Sequence, residues 1–291
     1  MEGCKLCPRN CGADRKTKAG VCTALDKLKI ARAALHLWEE PPISGTQGSG
    51  TVFFSGCPLG CVFCQNREIS RGGVGKEITS ARLAEIFFEL EKQGAHNINL
   101  VTPTHYTPQI LQALDIYRLN IPIAVNTGGY EKTETIKQWQ NYADIWMPDL
   151  KCVSADIGKR YFAAPDYFDV AIKAIAEMHA QQPKLEYNPD GTLKKGLIVR
   201  HLVLPGHRDD SIKVIDALNE LLPRGSWLLS LMSQFTPIDN CKNYPEINRR
   251  VTTFEYNSVA KYALSLGIEG FMQERSSARE EYTPPFDLTG V

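Results

Sequence analysis

The chain has 291 residues, and its 33 lysines and arginines balance 33 aspartates and glutamates, so overall charge marks neither a nucleic-acid binder nor an anionic-membrane binder. No run approaches the roughly 18 apolar residues of a membrane span, and Met1-Glu2-Gly3-Cys4-Lys5-Leu6 lacks the apolar stretch of a signal peptide, which predicts a cytoplasmic protein with no membrane partner. Nine cysteines in such a chain argue for metal ligation rather than a disulfide framework.

Cys4, Cys7, Cys11 and Cys22 crowd the start of the chain. Four thiolates make a closed site, which spacing alone assigns equally to zinc or to an auxiliary [4Fe–4S] cluster. Residues 1–45 read as a cysteine-rich appendage that such a metal would stabilise, ending in the turn-prone Glu39-Glu40-Pro41-Pro42-Ile43-Ser44-Gly45. From residue 46, short apolar runs alternate with helical patterns, the sign of βα units and a parallel sheet. Strands are expected at 50–55, 97–102, 122–126, 145–150, 197–204, 227–232 and 268–272, nearly continuous in apolar character as strands covered on both faces are.

Helices are expected between them, at 79–93, from Thr107-Pro108 onward, and at 132–142, 166–182, 210–222 and 255–266. Leu83, Ile86, Phe87 and Leu90 recur at helical spacing, and Gly94 follows as a stop. Asp166 and Asp210 read as N-caps. Six or so βα units suit a partial barrel, although periodicity leaves a doubly wound sheet open. The core domain is placed at 46–272 and a C-terminal tail at 273–291.

The most informative segment lies after the first of these strands, in Ser55-Gly56-Cys57-Pro58-Leu59-Gly60-Cys61-Val62-Phe63-Cys64. Its C-x3-C-x2-C spacing in a Gly/Pro loop can aim three thiolates at one inorganic core. Iron–sulfur cubanes ordinarily take four cysteines, so three leave one iron open, as a catalytic metal site does. A zinc knuckle or three buried thiols is the plainer alternative.

With Phe63 just before the third cysteine, the loop resembles the signature of the radical S-adenosylmethionine (SAM) superfamily. From Cys4 to about Gly270 the chain is similar to the pyruvate formate-lyase activating enzyme branch, and most of all to its PflX-like group. The resemblance implies an α/β fold, a partial (β/α)6 radical SAM barrel carrying the N-terminal appendage. It implies a [4Fe–4S] cluster on Cys57, Cys61 and Cys64 whose open iron binds SAM, and reductive cleavage of SAM to a 5′-deoxyadenosyl radical for hydrogen abstraction.

The resemblance also assigns strand ends to SAM. Leu100-Val101-Thr102-Pro103-Thr104-His105-Tyr106-Thr107 stands where the family has Gly-Gly-Glu, a departure that makes Thr104 and His105 the expected contacts there. Asn126 and Thr127, in Val125-Asn126-Thr127-Gly128-Gly129, and Asp149 and Lys151, in Met147-Pro148-Asp149-Leu150-Lys151, match segments that surround the methionine moiety and can hold a monovalent cation. Arg200 and His207, in Arg200-His201-Leu202-Val203-Leu204-Pro205-Gly206-His207, are expected to face the SAM carboxylate or ribose. Arg200 and His201 point to opposite faces of a strand, so only one lines the barrel.

Implied partners are a reducing flavodoxin or ferredoxin and, as hydrogen donor, a glycyl-radical enzyme. A small molecule or another peptide is the alternative donor. A non-catalytic iron–sulfur carrier would need no polar strand ends.

Overall fold

A computed structural model describes residues 3–272 and 284–291. After the cysteine-bearing turns come β1 (Leu28–His36), α1 (Pro41–Ser44), β2 (Ser49–Phe54), α2 (Arg67–Ser70) and β3 (Lys76–Ile78). Next are α3 (Ser80–Lys92), β4 (Ile98–Val101), α4 (Thr107–Ile116), β5 (Ile123–Thr127), α5 (Thr133–Lys137) and β6 (Ile145–Pro148). The rest comprises α6 (Ala155–Phe162), α7 (Tyr167–Gln181), β7 (Glu186–Tyr187), β8 (Leu193–Leu202), α8 (Arg208–Leu221), β9 (Leu228–Met232), α9 (Thr253–Ser265) and β10 (Gly270–Met272).

One sheet carries these strands in the order β10-β9-β8-β6-β5-β4-β2-β1-β3, with β7 paired to β8. From β2 through β10 that path is parallel, while β1 pairs antiparallel with β2 and β3 antiparallel with β1. Among the described residues six parallel strands, β2, β4, β5, β6, β8 and β9, each lead into a helix, the (β/α)6 arrangement expected of a partial barrel. The strand path ends at β10 and β3 without closing on itself.

Pleat alternation divides the apolar residues between two faces. Val125, Trp146, Leu197, Val199 and Leu229 pack with helix residues such as Ile110, Ile175 and Val214. Ala124, Ile145, Met147, Ile198 and Leu228 form a separate cluster around Ile43 of α1. The strands are apolar on both faces because both are covered.

Several local expectations change in place. Residues 28–44, read as part of the appendage, contribute β1 to the sheet and Ile43 to that second cluster. Asp210 lies inside α8, not before it, and its carboxylate accepts the N–H groups of Val153 (3.1 Å) and Ser154 (2.8 Å) ahead of α6. Asp166 does precede α7, but its carboxylate accepts the Tyr130 hydroxyl (2.8 Å) instead of capping. At α9 the chain forms a full capping box between Thr252 and Glu255. In the expected tail, Leu288 and Thr289 hydrogen-bond the backbone of Ala31 and Ala33, and residues 273–283 lie outside the described residues.

Candidate active site

The loop after β2 is held by its neighbours on every side. Gly56 donates to the Ile69 carbonyl, Cys57 to Cys22, Gly60 to Phe162 and Val62 to Tyr161, at 2.9–3.1 Å. Its carbonyls are held in turn, Pro58 by Arg9 Nε (2.9 Å), Leu59 by Arg71 Nη2 (2.5 Å) and Val62 by Asn240 Nδ2 (2.8 Å). Gly56 has φ of +93°, and a Cβ there would lie 2.7 Å from the Cys22 carbonyl oxygen, so both backbone angle and space require glycine. A loop held at this many of its amides and carbonyls presents its side chains in a fixed direction.

Those side chains border a cavity of about 270 Å³, lined by Cys57, Cys61 and Cys64 on one side and by Asn126, Thr127, Asp149, Lys151 and Arg200 on the other. Register brings the second group together. Val101 pairs with Asn126, Asn126 with Met147, and Asp149 bridges to Arg200 across the parallel strands. Among the described residues no three His, Cys, Asp or Glu side chains stand as ready ligands of a single metal ion. The three loop thiols instead share the border of one cavity.

Burial and the neighbouring thiols push the Cys57 thiol well up, and burial pushes Cys61 up to about 12, against the pull of Lys151. Ionising these thiols therefore requires positive charge in the cavity, as a metal centre supplies. Three soft sulfur donors with no competing carboxylate among them fit an iron–sulfur core.

Charge at the facing strand ends is closely balanced. Asp149 Oδ2 accepts from Lys151 Nζ at 2.5 Å and Oδ1 from Arg200 Nε at 3.0 Å. Burial raises the Asp149 carboxyl, but Lys151 and Arg200 outweigh it and hold it below its usual range. Arg200 also stands 3.8 Å from Glu39, whose carboxyl is pushed up to about 7 by burial and by the charge of Glu40. Behind them the Tyr167 hydroxyl accepts the Lys151 N–H (3.1 Å) and faces the carbonyls of Gly128 and Asp149. A Cβ on Gly129 would lie 2.1 Å from the Asp149 carbonyl oxygen, so glycine is required where these strand ends meet.

Of the residues singled out along the chain, Asn126, Thr127, Asp149, Lys151 and Arg200 line this cavity, while Thr104, His105 and His207 do not. Thr104 is buried against Glu131. His105 is buried and donates from Nε2 to the Ser55 carbonyl (2.8 Å), bracing the root of the cysteine loop as a neutral ring whose pKa burial lowers to about 3. His207 is 3.0 Å from the Tyr161 hydroxyl, which itself donates to Glu246. His201 faces outward to Ser211 and the Leu150 carbonyl, leaving Arg200 inside. Of the oxygens expected to hold a monovalent cation, Asp149 is already paired on both and Thr127 Oγ1 already accepts the Gly129 N–H at 3.1 Å.

Sequence reading missed Glu39 and Trp38, which line the cavity beyond β1, and Thr102 at the end of β4. Glu39-Glu40 before two prolines looks like an ordinary turn. Thr102 has φ of 58°, a left-handed backbone that a β-branched residue rarely adopts, in the segment standing where the family has glycines.

The N-terminal cysteines lie directly behind the loop. Backbone N–H groups of Arg9, Ala13 and Ala24 point at the sulfurs of Cys7, Cys11 and Cys22, two residues back in each case. Burial pushes Cys7 up to about 11, whereas at Cys11 such amides outweigh burial and lower its pKa. A Cβ on Gly20 would sit 3.1 Å from Cys11 Sγ and 3.5 Å from Cys22 Sγ, so the turn closes on both sulfurs. Arg15, buried beside them, donates to the carbonyls of Ala24, Leu25 and His105.

A family model described as the radical SAM superfamily matches residues 51–218. An uncharacterized protein of Methanocaldococcus jannaschii, MJ0674, is 30% identical over 272 residues, covering 90% of this chain and 75% of its own. Among solved structures, Streptococcus suis SuiB bound to S-adenosylmethionine superposes with a TM-score of 0.52 at 13% identity, over 79% of this chain and 51% of SuiB. A domain of pyruvate-formate lyase-activating enzyme from Bacteroides vulgatus aligns at 12% identity and a TM-score of 0.42, over 59% of this chain and 91% of that domain. The chain spans about half the length of SuiB, and at such identity the likeness speaks to fold alone.

Proposed function

The chain belongs to the radical SAM superfamily, and on that premise we propose that it cleaves SAM reductively beside Cys57, Cys61 and Cys64 to abstract hydrogen from a bound substrate. Membership implies a [4Fe–4S] cluster and SAM as its cofactors. The observation that carries the reading is one cavity bordered by three thiols and by five polar strand-end side chains. When bound, the cluster supplies the electron that splits SAM into methionine and a 5′-deoxyadenosyl radical.

The protein's own residues hold and orient. Cys57, Cys61 and Cys64 are the three thiolate ligands. Lys151 and Arg200, both bonded to Asp149, are the cations beside the cavity and suit the SAM carboxylate, and Asn126 and Thr127 line its amino-acid end. Phe53, Phe63 and Phe235 wall the cavity and limit water. A reduced flavodoxin or ferredoxin is the electron donor. The four N-terminal thiols hold a separate metal, zinc or an auxiliary cluster, which the amides aimed at three of their sulfurs support.

Two finer readings of the hydrogen donor follow. Resemblance at the strand ends supports a glycyl-radical enzyme or another protein or peptide. A second chamber sharing a wall with the first supports a small molecule.

Anaerobically reconstituted protein given dithionite and SAM is expected to release 5′-deoxyadenosine and methionine, and Cys57→Ala, Cys61→Ala and Cys64→Ala each to abolish release. Undiminished cleavage in any of these variants would overturn the assignment.

A further inference from the structure

A second cavity, of about 460 Å³, shares Trp38, Glu39, Arg200, Met232 and Gln234 with the cluster cavity. It extends to the last strand of the sheet, where Phe271 and Met272 of β10 line it. Two further lining groups are buried with no hydrogen-bond partner among the described residues, Glu40 Oε2 and Ser230 Oγ. Glu40 is 9% exposed and Ser230 1%. An unmet acceptor in such a place is costly, and a ligand that donates to it removes the cost.

The charge of the chamber indicates what that ligand carries. Glu39 and Glu40 both line it, whereas Arg200 is its one cationic lining residue among the described residues. Arg200 is itself shared, with Nε bonded to Asp149, Nη1 3.8 Å from Glu39 and the charge of Glu40 acting on it too, so one cation serves three acids. Glu39 is held up to about 7 by burial and by Glu40, as a carboxyl short of cations is. Apart from Gln234, the remaining side chains of the wall are apolar, among them Leu37, Trp38, Met232, Phe271 and Met272. An ammonium group would satisfy the acid and the hydroxyl together, and an alkyl stem would cover the apolar wall.

We propose that this second chamber is the substrate site and that it takes a small alkyl amine, its ammonium on Glu40 and Ser230 and its stem against Trp38, Met232 and Phe271. The inference rests on the radical SAM reading for the chemistry and adds the class of molecule.

The test titrates n-hexylamine and n-hexanol, by anaerobic calorimetry, into the reconstituted full chain with and without SAM. The amine is expected to bind at least about tenfold more tightly than the alcohol, with similar affinity whether or not SAM is present. Glu40→Gln is expected to bring the amine down to the level of the alcohol. Ser230→Ala is expected to weaken the amine selectively, and it serves as the test if Glu40→Gln does not fold. Equal binding of amine and alcohol by the wild type overturns the proposal, as does an undiminished preference in the folded variants. Mutual exclusion of amine and SAM would assign the chamber to SAM and overturn it as well. Failure of the radical SAM reading is seen separately, as absence of 5′-deoxyadenosine when the wild type is given dithionite and SAM without any amine.

Discussion

Asp149 holds two half-buried cations, so removing its carboxylate leaves both Lys151 and Arg200 without their shared partner. Asp149→Ala is expected to cost about 3–5 kcal/mol by chemical denaturation and to weaken SAM binding. The pair Asn126→Ala/Thr127→Ala removes hydrogen-bonding groups without stranding a charge, and a loss of about 1 kcal/mol corresponds to roughly a fivefold weaker affinity for SAM. Wild-type SAM affinity in both variants would take these positions out of the site. Glu131 provides a pH test nearby. It is buried against Thr104 and Thr127 with Oε2 unpartnered among the described residues, and burial pushes its carboxyl up to about 8 from an ordinary 4.5. Between those values the folded chain keeps a proton that the unfolded chain releases. The stability Glu131 contributes is therefore complete below 4.5 and is lost as pH rises toward 8. Glu131→Gln is expected to remove this slope, at most about 1.4 kcal/mol per pH unit, in urea midpoints compared at pH 5 and pH 8. An unchanged slope would show that Glu131 is ionised in the fold.

At the scale of elements, the N-terminal turns and the cysteine loop form one mechanical unit. Cys22 accepts the Cys57 N–H at 3.0 Å, Arg9 holds the Pro58 carbonyl and Arg71 joins Val21 to Leu59. A Cys57/Cys61/Cys64 triple-Ala protein is expected to retain either about one zinc or a cluster whose spectrum ignores SAM. Cys11→Ser/Cys22→Ser is expected to lose that metal and also to lower iron loading of the SAM-binding loop, because the turn that backs it loosens. Elemental analysis with Mössbauer spectroscopy separates the two metals. Neither zinc nor iron in a folded triple variant would mean that the N-terminal thiols hold none. The thiol spacing of both sets was legible along the chain, because ligand spacing within a loop is local. Their contact was not, since it joins residues 22 and 57 through the hydrogen bond of a particular backbone geometry.

Across the whole molecule, the alternation of apolar runs and helical patterns specified a parallel α/β fold, because strands covered on both faces need continuous apolar sequence and helices need a stripe of period 3.6, while the choice of a partial barrel over a doubly wound sheet came from the family resemblance. The three-cysteine loop was legible from its spacing, and the polar ends of β5, β6 and β8 only through their likeness to the family's strand-end segments, which in such a barrel open on a common rim. Tertiary structure alone determined which polar groups face that rim. His105 and His207 looked like contacts on the chain, yet they turn to Ser55 and Tyr161, while Glu39 was hidden in an apparent turn and reaches Arg200. Pleat parity says that Arg200 and His201 diverge, but only the register with β6 and the packing of Ser211 decides that Arg200 is the inward one. Local spacing and period belong to the chain itself and survive in its sequence. The direction of a side chain depends on neighbours tens of residues away, and it exists only once the sheet is assembled.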